Sequence, residues 1–193
     1  QKNINCSISE SVERFRPVLE AAQKNSVRVR GYISCVLGCP YQGEVPLENV
    51  VNLAEKMLKM GCYEISLGDT IGIGTPANAQ SMIVAVGNSI SIDKIAVHFH
   101  DTYGQALANI LAAMEVGISV IDSSVSGLGG CPYAKGASGN VASEDVLYML
   151  DGLRVETGID FGSMVETANF ISTALGRSSN SKVTRALVKE QVT

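Results

Sequence analysis

The chain has 193 residues, of which 46% are hydrophobic and 18% charged, so it carries enough apolar material for a buried core and is not intrinsically disordered. Nineteen acidic against fifteen basic residues give a net charge of −4, which argues against a nucleic-acid or anionic-membrane surface; the apolar runs are too short to span a membrane. Five cysteines, an odd number, predict an intracellular protein with free thiols rather than a disulfide-bonded, secreted one.

The first predicted elements are a helix and four apolar strands. The helix begins at a Ser7-x-x-Glu10 capping box and contains Pro17, near which we expect a kink or a helix start. The strands cover residues 28–34, 63–67, 94–100 and 118–123. Their starts lie 35, 31 and 24 residues apart, a spacing typical of successive βα units in a parallel sheet.

Amphipathic helices are predicted after each strand. They begin near Pro46, Pro76, Gly104 and Ser143, and a further helix begins at a Ser163-x-x-Glu166 capping box. Four βα units fit a doubly wound open sheet, and they also fit part of a (β/α)₈ barrel, which needs eight strands. The pattern of elements does not distinguish the two architectures.

Chemically reactive side chains follow the predicted strands where each strand ends. They are Cys35, Asp69, His98, His100, Ser124, Cys131 and Asn140. Barrels and open parallel sheets both place their active sites at the carboxyl ends of the strands. The distribution therefore predicts an active site at this edge of the sheet.

His98-Phe99-His100 is the most specific of these features. Residues two apart in a strand share a face, so both imidazoles can reach one ion while Phe99 packs on the opposite side. One core histidine and one loop histidine is an equally natural interpretation. Asp101 either orients an imidazole as a metal-site partner or caps the next helix.

Two loops carry the remaining candidates. Gly127–Tyr133 is rich in glycine and holds Cys131, which is either a thiol on a mobile loop or an unreactive free cysteine. Asn140 follows it and offers an amide oxygen, and two imidazoles with such an oxygen suit Mg²⁺ or Mn²⁺, although zinc also binds them. Asp69 is either an acid–base group or a turn-stabilising residue.

Two segments closely resemble the 3-hydroxy-3-methylglutaryl-CoA lyase family: residues 97–109, VHFHDTYGQALAN, and residues 124–133, SVSGLGGCPY. Residues 30–41 and 61–76 look like the same family, so the resemblance covers nearly the whole chain. The glycine–cysteine loop is the family signature, whereas the His-x-His pair is shared with other metal-dependent barrel enzymes that make or break carbon–carbon bonds. Phe99 stands where a cysteine is usual, and Ser126 where many members have alanine.

The resemblance implies a (β/α)₈ TIM barrel that cleaves 3-hydroxy-3-methylglutaryl-CoA to acetyl-CoA and acetoacetate. When the family's functional residues are matched to this sequence one by one, His98, His100 and Asn140 match ligands of a divalent cation, Mg²⁺ or Mn²⁺. Cys131 and Asp69 match catalytic residues, and Glu144 matches an acidic residue near the metal.

The resemblance also implies that this chain is a partial barrel: the last four βα units plus carboxyl-terminal helices. Residues 1–157 form the units with their preceding helix, and residues 158–193 form the terminal helices. The family's first strand carries an Arg-Asp pair, the aspartate a metal ligand, with no equivalent here. We therefore expect an incomplete ligand set, open sheet edges, an exposed apolar barrel interior and an inactive isolated chain.

We expect the protein to bind an acyl-CoA substrate and, when complete, to form a homodimer. We expect it to bind neither nucleic acid nor a membrane. The expected location is the mitochondrial matrix, with the cytosol as the alternative. The alternatives to a lyase are a Claisen-type synthase or aldolase of the same superfamily, and a non-catalytic half-barrel that binds a partner.

Overall fold

The structure, a computed structural model, describes residues 4–130 and 139–190. Within these ranges one parallel sheet is formed by the strands β1 (Val29–Ser34), β2 (Cys62–Asp69), β3 (Ile95–Phe99) and β4 (Val120–Asp122). Each corresponds to a predicted strand. Their spatial order is β1-β2-β3-β4, the same as their order in the chain.

The helices are α1 (Ile8–Lys24), α2 (Leu47–Lys59), α3 (Pro76–Gly87), α4 (Ala106–Glu115), α5 (Ser143–Gly152), α6 (Phe161–Ala174) and α7 (Lys182–Glu190). The boundary predicted between residues 157 and 158 falls in the connection between α5 and α6. Among the described residues, no helix has both the length and the apolar character needed to cross a membrane.

The strand order decides between the two predicted architectures. A doubly wound sheet reverses its strand order at a switch point, whereas a barrel adds each new strand on the same side. Here every strand pairs with its predecessor in the chain, and α2, α3 and α4 all contribute side chains to one core beside the sheet. This arrangement is that of consecutive units in a (β/α)₈ barrel.

Local hydrogen bonds set where α1 and α6 begin. The Ser7 capping box is confirmed, because the Glu10 N–H donates to Ser7 Oγ (3.1 Å) and the Ser7 N–H donates to Glu10 Oε2 (2.7 Å). The expected helix start near Pro17 is wrong: α1 runs through this residue, on a largely exposed helix where water can bind the carbonyl left without a partner. The capping box at Ser163 is also wrong, because Asp160 accepts the Ser163 N–H (2.7 Å) and caps α6 three residues earlier.

Strand alternation divides the sheet into two different faces. The face beneath the helices is apolar, and its fully buried side chains include Ile65, Leu67, Val97 and Phe99. The other face, called here the open face, carries the side chains of Arg30, Glu64, Ser66, His98 and Asp122. The expectation of an exposed apolar interior is therefore wrong, since these polar groups pair with one another across the strands.

Candidate functional site

The two histidines lie together at the carboxyl end of β3. Their ring centroids are 5.4 Å apart, while the side chain of Phe99 between them is 1% exposed in the apolar core. The expectation that both imidazoles share a face is confirmed. Both belong to the same edge of the sheet as Asp69, whose carbonyl accepts the His100 N–H at 3.3 Å.

Asn140 is brought to His100 by the chain that returns after the glycine–cysteine loop. The two residues form an isolated antiparallel bridge, and the Asn140 side-chain amide donates to the Leu128 carbonyl at 2.9 Å. The close approach requires glycine, because a Cβ on Gly139 would lie 1.6 Å from the Gly129 carbonyl oxygen. The structure thus places both imidazoles and the predicted amide side by side.

The donor set of this cluster fits part of a divalent-cation site. Among the described residues, the buried His100 Nδ1 has no hydrogen-bond partner, and the buried His98 Nδ1 lies 3.5 Å from Asp122 Oδ2. Burial, together with the neighbouring His98, lowers the pKa of His100 despite an opposing hydrogen bond with Asn140, so its imidazole is neutral and able to bind a cation near neutral pH. No group of three or more His, Cys, Asp or Glu side chains suited to a metal occurs in residues 4–130 and 139–190.

Asp69 is fully buried at the end of β2 and organises the loop that follows. Its carboxylate accepts the N–H groups of Gly72 (3.1 Å) and Gly74 (2.8 Å). Burial raises the pKa of Asp69, an effect that these backbone hydrogen bonds oppose but do not cancel. The turn-stabilising interpretation therefore describes its contacts, and a catalytic role stays a prediction.

Glu144 is buried at the start of α5 and its carboxylate is occupied by the protein. Its two oxygens accept the Ser126 N–H at 3.1 and 2.9 Å, and one of them accepts the Thr184 hydroxyl at 2.9 Å. These bonds connect the loop after β4 with α7. The predicted place near a metal is not tested by them, and Cys131 lies outside the described residues.

Asp101 binds the first N–H group of α4, although the N-cap position of this helix is Gln105. Its Oδ1 accepts the Ala106 N–H at 3.0 Å, while its Oδ2 lies 3.3 Å from Lys182 Nζ on α7. Of the two interpretations open from the sequence, these contacts favour a role at the start of the helix, although Asp101 does not occupy the N-cap position itself.

Sequence reasoning missed an ionic network on the open face. Arg30 pairs with Asp122 (2.8 Å) and with Glu64, and the Ser66 hydroxyl donates to Asp122 at 2.8 Å. Burial opposes the charge of Arg30, but the hydrogen bonds with Asp122 and Glu64 raise its pKa. Burial also works against ionisation of Asp122, yet the neighbouring His98, Ser66 and Arg30 lower its pKa. The alternation of polar and apolar residues along the strands could have indicated this network, since each of these residues occupies a polar position of its strand.

Two neighbouring cavities lie on this side of the molecule, and the second of them adjoins the cluster. The first, called here the α6–α7 cavity, has a volume of about 540 Å³ and is lined by residues that include Thr173, Arg177 and Arg185. The second, of about 280 Å³, is lined by Asn140 and Lys182 among others, and Arg185 lines both. Cationic side chains therefore extend from the candidate metal residues to the space between the two last helices.

Comparisons with known proteins show which family this chain resembles. A family model described as HMGL-like matches residues 1–171. The chain is 59% identical over 186 residues to the mitochondrial hydroxymethylglutaryl-CoA lyase of Gallus gallus, an alignment covering 96% of this chain and 62% of that protein. The crystal structure of hydroxymethylglutaryl-CoA lyase from Pseudomonas aeruginosa matches with a TM-score of 0.96 and 58% identity, over 98% of this chain and 63% of that one.

A second similar structure contains ligands. The HMG-CoA lyase from Acinetobacter baumannii, in complex with coenzyme A and 3-methylmalate, matches with a TM-score of 0.90 and 33% identity, over 95% of this chain and 60% of that one. In all three matches, this chain spans about three fifths of the length of its relative.

Proposed function

Since this chain belongs to the HMGL-like family, we propose that it is the carboxyl-terminal part of a lyase that cleaves 3-hydroxy-3-methylglutaryl-CoA to acetyl-CoA and acetoacetate. The observation that carries the proposal is the meeting of His98, His100 and Asn140 at the carboxyl edge of a parallel sheet. This edge is where barrel enzymes assemble their active sites.

In this proposal, His98, His100 and Asn140 hold a divalent cation, Mg²⁺ or Mn²⁺, together with ligands from outside this chain. When bound, such a cation supplies Lewis acidity that makes the C3 hydroxyl of the substrate easier to deprotonate. The lowered pKa of His100 and the hydrogen bond that holds the Asn140 amide support this assignment.

Two residues are proposed to handle protons. A base removes the C3 hydroxyl proton, the C2–C3 bond breaks, the C3 carbonyl of acetoacetate forms, and the electron pair passes to the acetyl-CoA enolate, which then takes up a proton at C2. Cys131 is the proposed donor of that last proton. Asp69 is the proposed acid–base partner, and its raised pKa brings it closer to neutral pH, as that role requires.

The acyl-CoA is proposed to extend from the metal residues towards the α6–α7 cavity. Its phosphates are anionic, and Lys182, Arg185 and Arg177 line the route in that direction. The similar lyase from Acinetobacter baumannii binds coenzyme A. Replacing Arg177 by alanine should raise the KM for the acyl-CoA with little change in kcat, since the contact is remote from the reacting carbons.

Location and assembly complete the proposal. The similar chicken protein is named mitochondrial and another close relative is bacterial, so we propose the mitochondrial matrix, with the cytosol as the alternative. Fluorescence microscopy of the tagged full-length protein in its source cells distinguishes the two. We also propose a homodimer for the complete protein, which sedimentation analysis would test.

The decisive experiment measures acetoacetate release from 3-hydroxy-3-methylglutaryl-CoA with Mg²⁺ or Mn²⁺. It compares this chain with a version extended to eight strands. We expect activity in the extended protein alone, because this chain spans about three fifths of the length of its relatives. An extended, folded protein that condenses acyl-CoA substrates instead would identify a Claisen-type synthase, and one inactive in both directions would identify a non-catalytic barrel.

A further inference from the structure

Asp122 lies directly beside His98 on the open face. The two residues are register partners in the parallel pair β3–β4, so their side chains leave the sheet on the same side. His98 Nδ1 is 3.5 Å from Asp122 Oδ2. This separation is slightly longer than an N–H···O hydrogen bond and is closed by a small rotation of the imidazole.

Asp122 is itself held on its other sides. Arg30 Nη1 donates to both of its carboxylate oxygens, at 2.8 and 2.9 Å, and the Ser66 hydroxyl donates to Oδ2 at 2.8 Å. A carboxylate anchored by side chains from β1 and β2 has little freedom to turn away. It therefore presents a stationary acceptor to the imidazole.

The other neighbours of His98 do not compete for Nδ1. The Tyr32 ring meets the imidazole edge to face with centroids 6.2 Å apart, and the Tyr32 hydroxyl is engaged by Arg30. The His100 ring is tilted by 49° to it. Among the described residues, the buried His98 Nδ1 makes no hydrogen bond, so it is free to donate to Asp122.

We propose that Asp122 is a positioning residue that accepts the Nδ1–H of His98 and thereby leaves Nε2 free to bind a divalent cation. A histidine that binds a metal commonly donates its other ring N–H to a carboxylate, which selects the tautomer and the ring orientation. The inference rests on the metal-binding role proposed for His98. It assigns to Asp122 the role of orienting a metal-binding imidazole, which the sequence suggested for Asp101.

The tautomer of His98 in the metal-free, full-length protein is the first test. Nitrogen-15 NMR of labelled histidine, assigned with a His98→Gln variant, distinguishes a protonated Nδ1 from a protonated Nε2. We expect the Nδ1–H form. The Nε2–H form would overturn the inference, and this result requires neither enzymatic activity nor a folded Asp122 variant.

The second test titrates Mn²⁺ into Asp122→Ala, followed by electron paramagnetic resonance. We expect binding about 10- to 100-fold weaker, the range found when a carboxylate supporting a metal-bound histidine is removed. Asp122→Asn keeps an acceptor oxygen without the charge, so its loss should be smaller. An unchanged Kd in Asp122→Ala would refute the role.

Glu64→Ala is the matched control. It removes the other carboxylate partner of Arg30 but leaves Asp122 beside His98. A purely structural role in the network predicts equal weakening of Mn²⁺ binding in both alanine variants, which would count against the inference. If the lyase activity itself proved absent, the His98 tautomer and the Mn²⁺ titrations would still decide the question.

Discussion

The carboxylate of Glu144 accepts the backbone N–H of Ser126 through both of its oxygens. The φ angle of Ser126 is +59°. A non-glycine residue in this left-handed region is strained and is retained where surrounding contacts hold it. Ser126 lies at the base of the glycine–cysteine loop, and Glu144 also binds the Thr184 hydroxyl on α7. One buried carboxylate thus connects the loop base, α5 and the last helix.

Replacing Glu144 by alanine should lower the free energy of unfolding by about 3 kcal/mol, because the Ser126 N–H and the Thr184 hydroxyl lose a buried acceptor. Glu144→Gln retains one carbonyl oxygen and should lose less. Urea denaturation measures both, and Glu156→Ala, at an exposed position, should change stability by no more than about 0.5 kcal/mol. A folded Glu144→Gln with weakened Mn²⁺ binding would show that the carboxylate acts on the metal instead.

Removing either His100 or Asn140 should abolish most of the Mn²⁺ affinity of the complete protein. Each variant deletes a proposed ligand, so we expect the Kd to rise by more than about 100-fold, beyond the effect of losing an outer partner. Isothermal titration calorimetry with Mn²⁺ measures the change. Asn52→Ala, on the exposed side of α2, is the control for the amide, and an unaltered Kd in Asn140→Ala would remove that residue from the ligand set.

Cys131→Ala should reduce kcat by about 10²- to 10⁴-fold, the contribution typical of a positioned proton donor, while the Kd for Mn²⁺ stays the same. Steady-state acetoacetate release and a Mn²⁺ titration measure the two quantities in the extended protein. Cys62→Ala is the control, since this buried cysteine begins β2 at the opposite end of the sheet. Comparable losses of turnover and of metal affinity in Cys131→Ala would refute the assigned role.

Asp122 should make stability depend on pH under acidic conditions. Its pKa is lowered from the ordinary value of 3.8, so its contribution is complete above about that pH and is lost as the pH falls through the folded-state pKa. Asp122→Asn should therefore flatten the decline of the free energy of unfolding below about pH 4. Chemical denaturation at a series of pH values measures the slope, with Asp151→Asn, an exposed position on α5, as the control. Parallel curves for Asp122→Asn and the unsubstituted protein would contradict the lowered pKa.

Local signals in the chain were sufficient for the elements and for part of the site. The four strands, the Ser7 cap and the shared face of His98 and His100 follow from periodicity and from side-chain hydrogen bonds over three residues. The start of α6 was misjudged because Asp160 and Ser163 are both acceptable caps at the level of residue type, and the carboxylate takes the bond.

Contacts between residues far apart in the chain required the folded structure. The sequential strand order, the return of Asn140 to His100, the pairing of Arg30 with Asp122 across 92 residues and the binding of Glu144 to Ser126 depend on strand register and helix packing. Periodicity tells which face of a strand a residue occupies, but it carries no information about which strand becomes its neighbour. For this reason the candidate ligands were recognisable from their residue types, whereas the groups that hold them in place emerged once the strands were paired.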